Sequence, residues 1–143
     1  RRIAEDGAEK MSLEKAVRQV LTDDATVASL VSSRVYPQRR PTGSALPAIV
    51  YQNVYSHQRE CIESQAGLRR TRFSVDVIDE TYGDTKTLRD AVESALVNYT
   101  GTLQSETIHS LRLESAVDID EENTPAGQFG VFRTILDFVI WHN

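Results

Sequence analysis

Residues 131–141, Val-Phe-Arg-Thr-Ile-Leu-Asp-Phe-Val-Ile-Trp, constrain the fold more than any other stretch of the chain. Side chains in a strand alternate between two faces. Alternation here puts Phe132, Thr134, Leu136, Phe138 and Ile140 on one face, which is almost wholly apolar. Val131, Arg133, Ile135, Asp137, Val139 and Trp141 fall on the other, which is mixed. The stretch is rich in β-branched and aromatic residues and has neither Gly nor Pro, so it reads as a strand. Such a strand must lie inside a sheet, with another layer packed over its apolar face.

The rest of the chain supplies that material. Ser12 is a candidate N-cap, because its hydroxyl can accept from an orphan N–H of a first turn. Leu13, Ala16, Val17, Val20 and Leu21 follow at helical spacing and form one apolar stripe. Asp23 and Asp24 end this helix or cap a short second one over 25–32, with Val27, Leu30 and Val31 facing inward. Residues 34–37 read as a short extended piece. A loop over 38–46 holds Pro41, Gly43 and Ser44, and Pro47 ends it. Strands are expected over 48–55 and 70–78, separated by a polar loop over 57–68. In the second strand Thr71, Phe73, Val75 and Val77 share one face.

After a turn at 79–83, capped by Asp84 or Thr85, comes a second long helix. Its stripe is Leu88, Ala91, Val92, Ala95, Leu96 and Tyr99, and Gly101 is read as its stop. A strand over 108–117 is expected to point His109, Leu111, Leu113, Ser115 and Val117 at the core. Residues 118–130 read as an acidic connection containing Pro125, Gly127 and Gly130. The expected class is α+β with order α(α)ββαββ. Its sheet would be four-stranded, largely antiparallel and packed on one face by helices. Residues 11–143 form one domain in this reading. Residues 1–10 are a tag remnant or a disordered extension outside it.

The full length of 143 residues suits one core. No apolar run approaches the ~18 residues of a membrane span, and the charged residues 1–10 do not resemble a signal peptide. One cysteine, Cys61, excludes an internal disulfide framework and suits a reducing compartment. The net charge is 16 − 21 = −5, unevenly spread. Residues 34–72 carry seven Arg against Glu60 and Glu63, or +5, whereas residues 106–143 carry Arg112 and Arg133 against seven acids, or −5. That asymmetry suits a self-associating protein whose basic surface meets its own acidic surface. It equally suits two solvated segments of opposite sign.

No constellation announces chemistry. His57 and Cys61 are four residues apart, but zinc needs about four ligands, and the remaining histidines are His109 and His142. A Cys–His nucleophilic pair would need an orienting third group and an oxyanion hole. The chain has no G-x-x-x-x-G-K, G-x-G-x-x-G or G-x-S-x-G. The acids after Asp118 lack the ladder of a calcium loop. Arg69, Arg70 and Arg72 beside Phe73 could touch phosphates, but the acidic balance disfavours nucleic acid, and alternation sets Arg70 and Arg72 opposite Phe73.

Five pieces of the chain, in their order and spacing, carry a resemblance. They are Met11-Ser12-Leu13-Glu14-Lys15-Ala16, Arg34-Val35-Tyr36-Pro37, Leu46-Pro47-Ala48-Ile49-Val50-Tyr51-Gln52, the helix over 82–96, and Leu136-Asp137-Phe138-Val139-Ile140-Trp141-His142. Together they resemble the tail-completion, or tail-terminator, proteins of long-tailed phages, prophages and gene-transfer agents. The resemblance implies a lambda-like terminator fold and a homo-oligomer, typically a hexameric ring, placed in the virion after assembly in the host cytoplasm. Such a ring caps the tail tube protein, stops its polymerisation and presents a surface to the head–tail connector or stopper protein. DNA passes through the lumen without sequence-specific binding. The resemblance implies no catalytic residues, no metal and no cofactor.

Two sets of residues become candidates on this basis. Arg39, Arg40, Arg69, Arg70 and Arg72 would contact the acidic segment of a neighbouring subunit. Asp118, Asp120, Glu121 and Glu122 would form a loop facing the lumen or the tube, where carboxylates repel passing phosphates. Competing readings are another neck or head-closure joining protein, and a ferredoxin-like ligand-binding domain, because layout alone does not choose function.

Overall fold

The protein is described from a computed structural model that covers residues 2–41, 43–58, 68–121 and 131–143. The elements run α1 (Arg2–Asp23), α2 (Ala25–Val31), β1 (Val35–Pro37), β2 (Ala48–Gln58), β3 (Arg69–Asp79), α3 (Tyr82–Leu96), β4 (Gly101–Leu103), β5 (Glu106–Glu121) and β6 (Val131–His142). The class is α+β as expected, but the sheet has six strands rather than four, in the order β1-β2-β3-β6-β5-β4. The four long strands β2, β3, β6 and β5 are each antiparallel to their neighbours. The two added strands are three residues each: β1 lies parallel on β2, and β4 lies antiparallel on β5. Pieces this short carry too few alternating residues for a periodic signal, so the pattern of 101–103 is silent.

β6 lies inside the sheet, paired along its whole length with β3 and β5. Its apolar face is closed: Thr134, Leu136, Phe138 and Ile140 are all buried. The helices cover this face. The stripe Leu13, Ala16, Val17, Val20 and Leu21 of α1, Val27 and Val31 of α2, and Leu88, Ala91, Val92 and Leu96 of α3 join one core with Ile49, Tyr51, Phe73, Val75 and Val77. Tyr51 and Phe73, neighbours on this face, stack at 6.0 Å. The opposite, helix-free face holds a smaller cluster of Val50, Ile78 and Val131 under Leu46.

Caps and ends depart from expectation in instructive ways. Asp24 does cap α2, accepting from the Val27 N–H. α1, however, does not begin at Ser12 but is helical from Arg2. For α3 the cap is Thr81, whose hydroxyl accepts from the Asp84 N–H, rather than Asp84 or Thr85. α3 stops at Leu96 and the chain turns at Asn98, in the left-handed region (φ 65), while Gly101 opens β4. Asn is one of the few residues that tolerate that region without large strain.

β5 differs most. It starts at Glu106 and extends to Glu121, so Asp118 is strand, not loop. Its register slips between Ile108 and Ser110 and again between Leu113 and Ser115. Each bulge inserts a residue and inverts the alternation beyond it. Ile108 and Leu111 are therefore its buried apolar residues, His109 and Ser115 are exposed, and Val117 is 50% exposed on the helix-free side. β2 likewise runs past Tyr55 to Gln58, so His57 lies in a strand. The expected loop residues 59–67, Cys61 among them, and residues 122–130 lie outside the described residues.

Two substitutions separate these assignments. Phe138→Ala removes a buried ring and should cost about 3–5 kcal/mol. Val117→Ala should change stability by less than about 0.5 kcal/mol, as an exposed position does. Urea unfolding of both variants measures the contrast; a large loss at Val117 would mean that the second bulge is absent.

Candidate functional site

The expected basic residues do not form one cluster. Arg39 is exposed just beyond β1, and Arg40 is held locally, donating to the Ser44 carbonyl at 2.9 Å and its hydroxyl at 3.3 Å. Arg69, Arg70 and Arg72 are on β3, where alternation splits them. Arg69 shares the helix-covered face with Thr71 and Phe73, opposite His142 of β6, while Arg70 and Arg72 lie on the helix-free face. There Arg70 is opposite Trp141, Arg72 is opposite Val139, and Arg112 of β5 stands on the far side of Val139. Arg72 also pairs with Glu114 at 2.7 Å, both side chains being about two-fifths exposed. Arg112 belongs with Arg70 and Arg72 by position. The sequence reading missed it because Arg112 lies in the acidic third of the chain.

The acidic candidates gather at the opposite end of the sheet. Asp118 lies across from Thr134 and Asp120 across from Phe132, on the last turnward residues of β5. Asp118 accepts from the Thr134 hydroxyl at 2.8 Å and from the Lys86 ammonium. The Lys86 hydrogen bond, then that of Thr134, holds its carboxyl below the usual carboxylate range. Lys86 in turn sits 5.2 Å over the Tyr82 ring, and Tyr82 meets Phe132 edge-on at 5.9 Å. Asp118 is thus tied to α3, and its charge is offset locally. Glu122 lies outside the described residues. The sheet is therefore a polar plate, with arginines toward the β2–β3 tip and carboxylates toward the β5–β6 tip.

One arrangement escaped the sequence altogether. His142 Nε2 is 2.7 Å from the Thr71 hydroxyl and Nδ1 is 3.0 Å from Glu106. Hydroxyl, imidazole and carboxylate in that order have the connectivity of a hydrolytic triad. Thr71 is 0%, His142 3% and Glu106 8% exposed, so the hydroxyl has no room beside it for a substrate. What the trio does is join β3, β6 and β5 diagonally, since His142 lies across from Arg69 and Ile108 in the register. No local signal could reveal it, because its members are 71 and 36 residues apart. Burial, then the Arg69 and His109 charges, lowers the His142 pKa from 6.5 to about 4. The ring is neutral and donates through one nitrogen while accepting at the other.

Among the described residues no group of three His, Cys, Asp or Glu is placed to hold a metal ion. None of the described helices is long and apolar enough to cross a membrane.

The profile of the family described as "Tail completion protein gp17" matches residues 15–143. In fold the chain is similar to a subunit in a structure titled "Virion of native gene transfer agent (GTA) particle". The TM-score is 0.65 at 21% identity, over 88% of this chain and 90% of that one. Among curated proteins none matches in sequence.

The His142 geometry has a pH signature. Between pH 6.5 and about 4 the unfolded chain takes up a proton at this residue and the folded chain does not. Stability is then full above pH 6.5 and falls as pH drops toward 4, by up to about 3 kcal/mol. Denaturant titrations from pH 4 to 8 should show this slope in the wild type and lose it in His142→Gln. An equal slope in both proteins would remove His142 as its source.

Proposed function

This chain belongs to the Tail completion protein gp17 family, and on that premise we propose that it is the subunit of a ring that ends tail-tube polymerisation. The family is one of structural virion tail proteins, and the chain is a tail component of the virion. In the proposed ring, residues 11–143 are the working domain and residues 1–10 an extension. One rim meets the last layer of tail tube protein. The other is the tail side of the head–tail joint and meets the connector or stopper protein. DNA crosses the lumen.

The observation that carries this reading is the family match over residues 15–143. The polar plate supports it. A subunit with opposite charge at its two ends suits heterologous contacts, which close into a ring when the rotation fits. Arg70, Arg72 and Arg112 on the helix-free face, with Arg39 and Arg40 beyond β1, are the proposed cationic side of the subunit contact. Arg69 contributes from the other face. Asp118, Asp120 and Glu121, with Glu122 following, are the proposed surface toward the lumen or tube. Carboxylates there gain nothing from phosphate and let DNA slide. Six copies are the proposed stoichiometry.

Deleting the gene should give tubes of uncontrolled length and heads without tails, seen by electron microscopy. Tails of normal length joined to heads would refute the role. Exposed ion pairs are screened over roughly 10 Å at 0.1 M salt, so ring formation should slow as salt rises toward ~1 M. Changing Asp118, Asp120, Glu121 and Glu122 together to Lys should slow DNA exit from the particles that still assemble; unchanged exit would remove these residues from the lumen.

A further inference from the structure

Among the described residues, each edge of the sheet is covered over only about half its length. At one edge β1 pairs with Ile49, Val50 and Tyr51 of β2. The Gln38 N–H then reaches the Tyr51 carbonyl, and the chain turns away at Gln38 (φ 68). β2 continues to Gln58 with β3 alone beside it. At the other edge β4 pairs with Glu106, Thr107 and Ile108 of β5, and the Asn98 N–H reaches the Leu111 carbonyl. β5 continues to Glu121 with β6 alone beside it. Among the described residues, no backbone group bonds to the outer edge of 52–58 or of 113–121.

Open edges of this length are templates for a further strand, and proteins usually blunt them. These edges hold no Pro, and they expose Val54 at 50%, Val117 at 50% and Ile119 at 39%. The charges choose the partner. The open half of β5 holds four acids and no Lys or Arg; Arg72 and Lys86 offset Glu114 and Asp118, so Asp120 and Glu121 are the charges that disfavour another β5 edge. The open half of β2 holds no Asp, Glu, Lys or Arg and lies one strand, about 4.8 Å, from Arg69, Arg70 and Arg72. It is the complement.

We infer that copies of this chain join edge to edge, the open half of β2 in one copy pairing with the open half of β5 in the next. This rests on the ring reading above and supplies its seam. Direction agrees. β2, β3, β6 and β5 alternate in direction, so β2 and β5 run oppositely. Rotation about an axis along the strands preserves direction, and the facing edges then meet antiparallel, the more stable pairing. Coverage agrees as well. The open halves lie at opposite ends of the sheet, so successive copies are offset along the strands. That offset is the shear of a closed barrel, in which strands tilt by about 35–45°. The fullest overlap of 52–58 with 113–121 puts Gln52 across from residues 119–121 of the next copy, with Arg70 and Arg72 of one copy one strand removed from the stretch of the other that holds Glu114 and Asp118.

The test uses the full chain in assembled particles. Gln52→Cys and Ile119→Cys, both on the helix-free face, are combined on a Cys61→Ser background and oxidised. A ladder of linked copies ending in one closed species is expected, and neither single variant should pass beyond a dimer. Rings visible by electron microscopy without a ladder would overturn the pairing and leave the ring standing. A single copy per particle would overturn both, and a link to a different protein would overturn the choice of occupant. A second variant reads the same edge. The Leu111 carbonyl points outward to Asn98, and alternation along β6 carries that sense to Ala116, opposite Leu136. Ala116→Pro therefore removes an outward N–H and spares the β5–β6 bonds. It should keep the wild-type circular dichroism and lose rings; a folded Ala116→Pro protein that still forms rings overturns the pairing.

Discussion

The structure depends on keeping one face of β6 dry. Leu136, Phe138 and Ile140 project from a strand whose two edges are already taken by β3 and β5. Burying each such side chain is worth about 1.5–3 kcal/mol, and leaving them wet would forfeit that contribution. A single layer of strands cannot do it. α1 and α2 approach from the beginning of the chain, and α3 crosses between the two hairpins. All three lay their stripes on this same face, where their apolar residues join one core with those of the strands.

The other face is built on different terms. Its charged residues pair across strands, Arg72 with Glu114 at 2.7 Å and Arg133 with Asp76 at 3.2 Å. The Arg72–Glu114 pair, about two-fifths exposed, stabilises a subunit by no more than about 1 kcal/mol. Their placement therefore matters more for what approaches the sheet than for what holds it together. The buried trio of Thr71, His142 and Glu106 is the exception that pins strands. A one-residue slip would leave a buried imidazole without partners, and an unpaired buried polar group costs about 1–3 kcal/mol. The trio sits where the terminal row of three strands meets, and the Asn143 backbone bonds to Thr107 beyond it.

The long periodic pieces were legible because one face of each is buried. The stripes of α1 and α3, and the alternation of β3 and β6, name their core residues almost without error. Alternation failed on β5, where two bulges shifted the phase and turned Val117 outward. Caps were harder, because Thr81, Asp84 and Thr85 are all competent and only the path of the chain selects among them. Among the candidate surface residues, the sequence correctly set Arg70 and Arg72 opposite Phe73. It could not add Arg112, which joins them only through the register of β6 with β5.

The amino-acid sequence by itself determined the α+β class, the helix faces, the central strand and the separation of basic from acidic segments. It also carried enough order and spacing to point to the tail-completion family. Those properties are local: each follows from residues within a few turns of one another. Only the tertiary structure decided which strands are neighbours, where the bulges fall, that a histidine near the terminus bonds to Thr71, and which halves of the sheet edges stay open. These depend on pairing between residues far apart in the chain, and no local pattern encodes which partner a strand will find.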